Sequence, residues 1–261
     1  MGVVQDKITE LLSMKNYPQK LFYDGNLELL KRTKISIVGS RKPTQYSRSQ
    51  VQKLSSLLSK NGICVVSGGA MGIDALSHSG AGASNTIAVL PCGVDVRYPV
   101  INKNLLEDIA RDGLLLSQFD AGFKATPWSF VVRNELVVAL GAVLIVGEAD
   151  VDSGTMRSVE FALKMKKEIF VLPQRLGESE GTNRLLKDGR AKAIYDMDEF
   201  VAMFSGGLGN KNSSIVEDEF LIYCSNNPTY EEAMRKYQNR VFEAELSGEI
   251  EVVNGIVIRL T

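Results

Sequence analysis

The sequence contains a single histidine, His78, and only three cysteines in 261 residues. One histidine excludes a metal site made of several imidazoles, and a serine–histidine–aspartate triad would have to use it. Cys64, Cys92 and Cys224 are far apart and form no Cys-x-x-Cys pair, which indicates reduced thiols without a disulfide or zinc framework. We therefore expect no metal and no cofactor, and a structural or solvated role for His78.

The chain also lacks a strong charge of either sign and any long apolar run. It has 30 Lys and Arg against 31 Asp and Glu, so a polyanionic partner would have to bind at a local basic patch. No apolar run approaches the roughly 18 residues that a membrane span needs, and the charged N-terminus is unlike a signal peptide. We expect a soluble cytoplasmic protein with no membrane partner.

Common nucleotide-binding motifs are missing as well. The sequence has no GxxxxGK[ST] segment, which excludes a P-loop ATPase. The run from Gly80 to Asn85 breaks the GxGxxG pattern, so a dinucleotide site is only weakly supported.

What the chain does contain is a regular alternation of apolar runs and helical segments. Most of the runs are continuously apolar, which is typical of strands buried on both faces of a parallel sheet. The alternation predicts right-handed crossovers and an α/β fold, an extended Rossmann-like, doubly wound and mainly parallel sheet. We predict strands at residues 35–38, 63–66, 86–90, 114–117, 142–146 and 169–172, and helices at 46–60, 74–80, 103–111, 127–140 and 155–166.

A glycine-rich polar stretch, SGGLGNKNSS, interrupts this pattern at residues 205–214 and indicates a linker. After it, the sequence predicts three short helices and a hairpin around Asn254-Gly255, the order of a winged helix. We divide the chain into a short helical N-terminal extension (1–30), a Rossmann-like domain (31–204), a linker (205–216) and a winged-helix-like domain (217–261).

Ligands of doubly wound sheets bind beyond the carboxyl ends of the strands, and the first predicted strand ends in an anion-binding pattern. Gly39 permits close backbone approach, Ser40 offers a hydroxyl, and Arg41 offers a planar charged fork suited to phosphate. Lys42 and Thr44 extend this stretch to a helix start, which adds free N–H groups. A plain strand-to-helix turn with a solvated arginine is the alternative.

The end of the next predicted strand also carries a glycine-containing loop that is suited to binding an anion. Gly68 and Gly69 open a loop whose amides can converge on an oxyanion. Asp74 either belongs to this site or simply caps the following helix. Two glycine-bearing loops at neighbouring strand ends together predict a phosphate site.

A third segment mixes cations with aromatic side chains. Lys124, Trp128, Phe130 and Arg133 lie near a predicted helix start, followed by Asn134. Bases stack on aromatic faces and phosphates pair with cations, so this composition favours a surface for single-stranded nucleic acid. The alternative is that the two aromatic side chains belong to the core.

A fourth segment offers Ser153, Gly154 and Thr155 at another helix start. Their amides form either an anion site or an ordinary helix terminus. The preceding acids, Glu148 and Asp150 among them, are either an acid/base group or a solvated loop.

Six segments together resemble the DNA-processing protein A (DprA/Smf) family. They occur in the family's order and cover roughly residues 35–190, and in combination they are highly specific. The segments are IVGSRKPTQYS, VVSGGAMGIDALSH, TIAVLPCGVDVRYP, SFVVRNELVVAL, SGTMRSVEFA and FVLPQRLGESEGTNRLL.

The resemblance implies a protein that binds and protects single-stranded DNA on a Rossmann-like domain and loads the recombinase RecA during natural transformation. It also implies a homodimer without established catalytic turnover. By motif, the DNA-binding surface would include Gly39, Ser40, Arg41, Gly68, Gly69, Phe130, Arg133 and Asn134. We expect Arg41 to clamp a phosphate.

Two features leave alternatives open. The last predicted helix, residues 240–247, is acidic and poorly suited to a DNA major groove, which favours a protein contact or dimer support. Gly154, Thr155 and Glu160 also resemble, weakly, the pattern of nucleotide phosphoribohydrolases of the LOG type. A pure protein-interaction scaffold is a third reading, in which Arg41 would have no role in DNA binding.

Overall fold

The computed structural model describes residues 1–205, 219–247, 249–253 and 255–259. The chain divides into two compact units, Met1–Leu208 and Gly209–Thr261. Apart from Ser205, the predicted linker segment 205–214 lies outside the described residues.

The first unit alternates strands and helices along the chain, as the apolar pattern predicts. Every predicted strand and helix of this unit is present, with ends shifted by at most two residues. The elements are β1 (Gly2–Val3), β2 (Phe22–Gly25), β3 (Lys34–Val38), α1 (Gln45–Lys60), β4 (Cys64–Ser67), α2 (Ile73–Ala81), β5 (Thr86–Val89), α3 (Lys103–Asp112), β6 (Leu114–Ser117), α4 (Pro127–Leu140), β7 (Leu144–Val146), α5 (Thr155–Lys164), β8 (Ile169–Val171), α6 (Glu180–Lys187), β9 (Lys192–Ala193) and α7 (Met197–Ala202).

These strands form one nine-stranded sheet in the order β1-β2-β6-β5-β4-β3-β7-β8-β9. The strands from β3 to β9 pair in parallel. β2 runs in the opposite direction, and it pairs antiparallel with both of its neighbours, β1 and β6. The chain moves outward from β3 to β6 and then returns to place β7 on the other side of β3. The doubly wound, mainly parallel α/β fold is thereby confirmed, and its switch point lies between β3 and β7.

Both faces of the sheet are buried, because successive strand residues point to opposite sides. Ile35 and Ile37 of β3 pack in one cluster with Leu54 and Leu58 of α1. Val38 packs in the other, which includes residues of α4 and α5. This two-sided burial explains why the strands are continuously apolar in the sequence.

The first thirty residues differ from the predicted helical extension. They contain the strands β1 and β2 and two short 3-10 helices, Thr9–Ser13 and Leu27–Lys31. β2 pairs with β6 in antiparallel register, Phe22 opposite Ser117. β6 is wholly buried, so its outer hydrogen-bonding groups need a partner, and β2 satisfies them.

The second unit contains three helices and a hairpin. Its elements are α8 (Glu219–Cys224), α9 (Tyr230–Tyr237), α10 (Asn239–Ser247), β10 (Ile250–Val253) and β11 (Ile256–Arg259). β10 and β11 pair antiparallel with Val253 opposite Ile256, which is the hairpin that the sequence predicts. A small apolar core includes Phe220, Val241 and Val257. The order of elements fits a winged helix, which stays a prediction.

Among the residues described, no helix has both the length and the apolar character needed to cross a membrane.

His78, the one histidine, lies on α2 and is fully buried against the sheet. Its Nδ1 atom is 2.7 Å from the Thr86 hydroxyl, which itself donates to the carbonyl oxygen of Val65. Since that hydroxyl proton is already used, Nδ1–H is the donor to Thr86 and Nε2 carries no proton. Burial lowers the pKa of His78 to about 3, so the ring is neutral at neutral pH.

The burial of a neutral histidine makes the stability of the first unit depend on pH. An unfolded histidine titrates near pH 6.5, so between about pH 6.5 and 3 the unfolded state binds more protons than the folded state. Stability is complete above this window and falls with decreasing pH by about 1 kcal/mol per pH unit. We expect His78→Leu to remove this part of the slope between pH 7 and 5, measured by urea unfolding.

Fluorescence of Trp128, the one tryptophan, reports on the first unit during this unfolding. A His78→Leu variant with the same pH slope as the wild type would contradict the assignment, whatever the absolute cost of the substitution.

Candidate functional site

A cleft of about 460 Å³ opens at the switch point of the sheet. Its walls are the loop after β3, the loop after β7 and the first turns of α4 and α5. The structure brings together here most of the predicted site residues, namely Gly39, Ser40, Arg41, Phe130, Arg133, Asn134, Ser153, Gly154 and Thr155.

Arg41 is an exposed cation in the wall of this cleft. Its guanidinium carbon lies 5.5 Å from the centre of the Phe130 ring. Tyr98 meets the same ring edge-on, with centres 6.0 Å apart. Within the described part of the chain, no carboxylate forms an ion pair with Arg41, so its charge is available to an anion. Phe130 is half-buried, so the alternative that it belongs to the core does not hold.

Arg133 has a different role from Arg41, although both were predicted to bind DNA. Its side chain is only 5% exposed, and Nη1 lies 3.8 Å from a carboxylate oxygen of Asp74. The same nitrogen donates to the carbonyl oxygen of Val89 at 3.2 Å. Burial lowers the pKa of Arg133 and raises that of Asp74, while each charge opposes the shift of the other. Arg133 is thus a buried charge in the wall of the cleft, already paired with Asp74.

Gly68 makes room for Arg133. A Cβ atom at Gly68 would lie 1.4 Å from Nη1 of Arg133 and 2.7 Å from a carboxylate oxygen of Asp74. The absence of a side chain at Gly68 therefore lets the ion pair form, which is a packing role. The oxyanion loop that the sequence suggested stays a prediction. Asp74 also accepts a hydrogen bond from the Ala70 N–H at 3.3 Å, so it serves the loop as well as the arginine.

The polar groups at the start of α1 already have hydrogen-bond partners within the protein. Thr44 caps the helix by accepting from the N–H of Ser47. The Glu148 carboxylate accepts from both the N–H of Thr44, at 2.9 Å, and its hydroxyl, at 2.8 Å. The expectation of free N–H groups for an anion is therefore wrong at Thr44, because a buried glutamate holds that position.

The loop after β7 contributes mainly polar groups. The hydroxyl oxygen of Ser153 is buried and has no hydrogen-bond partner among the described residues. Gly154 has open space around the position of a Cβ atom. Arg157 also lines the cleft, and it forms an exposed ion pair with Glu160 at 3.1 Å.

Some predicted residues lie outside this cleft. Gly68 lines a smaller adjoining recess together with Met71 and Tyr98. Lys42 and Lys124 are exposed, and the carbonyl oxygen of Gly69 accepts from the Asn102 side chain at 2.9 Å. Sequence analysis did not select Ala70 or Val131, which line the cleft but carry no chemical signal.

The fold and this cleft define a class of protein, a doubly wound α/β protein with an arginine and an aromatic side chain in a cleft at its switch point. The family model described as DNA recombination-mediator protein A matches residues 4–205. The chain belongs to this family, the DprA/Smf family, as the six sequence segments indicated.

The relatives are similar over about three quarters of this chain. The DNA processing protein DprA of Streptococcus pneumoniae is 35% identical over 199 residues, which are 75% of this chain and 70% of that protein. Protein Smf of Synechocystis is 35% identical over 71% of this chain, but the match covers only 48% of the relative. This chain thus spans about half to 70% of the length of these relatives.

Solved structures agree with the fold. The DNA processing protein A of Helicobacter pylori, studied for its unique single-stranded DNA binding mode, superposes with a TM-score of 0.76 and 39% identity, covering 77% of this chain and 94% of that one. The DprA of Streptococcus pneumoniae gives a TM-score of 0.72 at 34% identity, covering 78% and 73%.

The tight fit at Gly68 generates a stability prediction. A methyl group in Gly68→Ala would displace Arg133 from Asp74 and from the Val89 carbonyl, so a buried charge would lose its partner. We expect a loss of about 1–3 kcal/mol in the free energy of unfolding, measured by urea titration.

Gly154→Ala is the matched control, since Gly154 lines the same cleft, has helical backbone angles and leaves open space for the new methyl group. Its stability should stay within about 0.5 kcal/mol of the wild type or rise slightly. Equal stability of the two variants would contradict the packing role of Gly68.

Proposed function

We propose that this chain binds single-stranded DNA in the cleft at the switch point and acts as a recombination mediator. The observation that carries the proposal is the exposed guanidinium of Arg41 above the half-buried ring of Phe130. One side chain offers a charge to a phosphate, and the other offers a face to the adjacent base.

The rest of the cleft supports a phosphate ligand. The charged residues that line it are three arginines and two aspartates, Arg41, Arg133, Arg157, Asp74 and Asp150. The lining is thus net positive in a chain with a formal charge of −1. The hydroxyls of Ser40 and Ser153 add hydrogen-bond donors for phosphate oxygens.

The geometry favours a single strand over a duplex. A base must leave its stack to meet the ring of Phe130, and the bases of a duplex have no free faces. The solved relative from Helicobacter pylori, known for its single-stranded DNA binding mode, supports the same substrate.

We further propose that the chain protects the bound strand, acts as a homodimer and loads the recombinase RecA during natural transformation, without catalysing a reaction itself. The description of the matching family as a recombination mediator supports this role. Addition of the chain should speed the assembly of RecA on single-stranded DNA coated with a competing binding protein. An unchanged rate, with DNA binding intact, would contradict the mediator role and leave the binding role standing.

The LOG-type hydrolase is the weaker candidate. The resemblance to that enzyme type gives the carboxylate role to Glu160, which is not part of the lining and forms an exposed ion pair with Arg157. Release of a free base from a nucleoside monophosphate, followed by chromatography, tests this alternative directly.

The proposed clamp makes Arg41→Ala the first variant to measure. Loss of one phosphate contact should weaken binding of a labelled oligothymidine in fluorescence anisotropy. It should also reduce the slope of log K against log salt by about 0.7, the value for one phosphate on a single strand. Arg41→Lys should recover only part of the affinity, because lysine lacks the planar fork.

Arg190→Ala is the matched control, since it removes the same charge from an exposed arginine in the turn between α6 and β9. Affinity and salt slope should then equal those of the wild type. If Arg41→Ala binds as tightly as Arg190→Ala, the protein-scaffold reading is favoured and the clamp is wrong.

A further inference from the structure

Trp128 stands out on the surface of the first unit. It is the only tryptophan of the chain, and its side chain is 62% exposed. It occupies the first turn of α4, two residues before Phe130. A large aromatic ring left in water is an available stacking surface if its orientation is fixed.

The orientation of Trp128 is fixed by a contact of its ring with Phe119 and by hydrogen bonds at the start of α4. Its ring meets the ring of Phe119 edge-on, with centres 5.8 Å apart and planes at 71°. Phe119 is buried and stacks on Phe123 with centres 4.6 Å apart. The backbone at Trp128 is held by a capping box between Thr126 and Ser129, with a proline at the helix start. This support limits the entropy that the ring would lose on contact with a ligand.

The surface is continuous with the cleft. Phe130 and Val131 line the cleft, and Val131, 44% exposed, is one helical turn from Trp128 on the surface of α4. A strand that leaves Phe130 therefore crosses the first turn of α4 to reach Trp128. Because an α-helix with its side chains is only about 10 Å across, the two rings lie within a short stretch of one strand.

The charges near the first turn of α4 are compatible with a DNA strand that runs from Phe130 to Trp128. Lys124 is exposed two residues before the cap of α4, and both Trp128 and Phe130 are in the first turn of this helix, at the positive end of its dipole. Of the acids in the same loop region, Asp95 accepts from the N–H of Gly122, and Asp120 is exposed. Asp95 is thus already engaged with the loop backbone.

From these contacts we infer that Trp128 is a second base-stacking platform, which extends the DNA-binding track beyond Phe130 and around the start of α4. The inference rests on the proposed binding of single-stranded DNA and adds a contact that the cleft itself does not contain. Its ligand is a nucleobase several positions along the same strand, bound by its face and therefore without sequence preference.

The single tryptophan gives a direct measurement of this contact. Oligothymidines of about 4 and about 16 nucleotides, the range of sites on single-strand binding surfaces, are titrated into the full chain while intrinsic fluorescence and anisotropy are recorded. We expect the long oligonucleotide to quench Trp128 strongly and the short one to quench it weakly. An abasic strand of the long length should bind through its phosphates but leave the fluorescence unchanged.

Substitutions then test the energy of the contact. Trp128→Ala should weaken binding of the long oligothymidine about tenfold and leave binding of the short one unchanged. Trp128→Phe should retain most of the affinity. Tyr195→Ala, which truncates another exposed aromatic side chain next to the edge strand β9, should have no effect.

The outcomes separate this inference from the proposed function. Wild-type anisotropy that shows tight binding without quenching, or Trp128→Ala that binds the long strand normally, overturns the platform and leaves the cleft intact. Equal quenching by the abasic strand also overturns it, because the contact would not involve bases. If the wild type binds neither oligothymidine, the proposed function fails and the platform fails with it.

Discussion

The buried pair between Arg133 and Asp74 is the constraint on which the site depends. It joins α4 to α2 and reaches the end of β5 through the Val89 carbonyl, and Gly68 after β4 leaves the space that it occupies. Removing two charges from water is costly, and the cost is offset only where both charges keep good partners. The pair therefore fixes the relative positions of four elements at one edge of the sheet.

Phe130 depends on this arrangement. It lies one helical turn before Arg133 on α4, and the Arg133 guanidinium is 5.9 Å from the centre of its ring. Arg41 approaches the same ring from the loop after β3, at 5.5 Å. One aromatic ring is thus flanked by a buried cation that positions it and an exposed cation that is left for a ligand. The two arginines therefore differ in depth and in role: Arg133 is buried and paired with Asp74, whereas Arg41 is exposed.

The sequence predicts the fold well because its signal is local. Continuous apolar runs, such as the one that forms β7, are sufficient to place most of the parallel strands. The strand order then brings the loops after β3 and β7 to one cleft. The burial of Arg133 could not be predicted from the apolar pattern. The spacing within SFVVRNEL shows which face of the helix a residue occupies, but it does not show how deeply the side chain is buried. The contact between Thr44 and Glu148 joins residues 104 positions apart, and such a pair has no local signature in the sequence.

The strands β1 and β2 were not predicted for a similar reason, since they are stabilised by the free edge of β6 more than by their own pattern.

The last helix of the second unit, α10, is poorly suited to reading a DNA duplex. A helix that reads a duplex presents free arginine or lysine side chains to base edges and phosphates. α10 has one basic residue, Arg240, which is paired with Glu249 at 2.8 Å and lies 5.2 Å from the centre of the Phe220 ring. The helix also carries Glu243 and Glu245 in its sequence. An acidic helix with its single arginine already engaged would repel a phosphate backbone, so a protein contact suits this unit better than a groove of DNA.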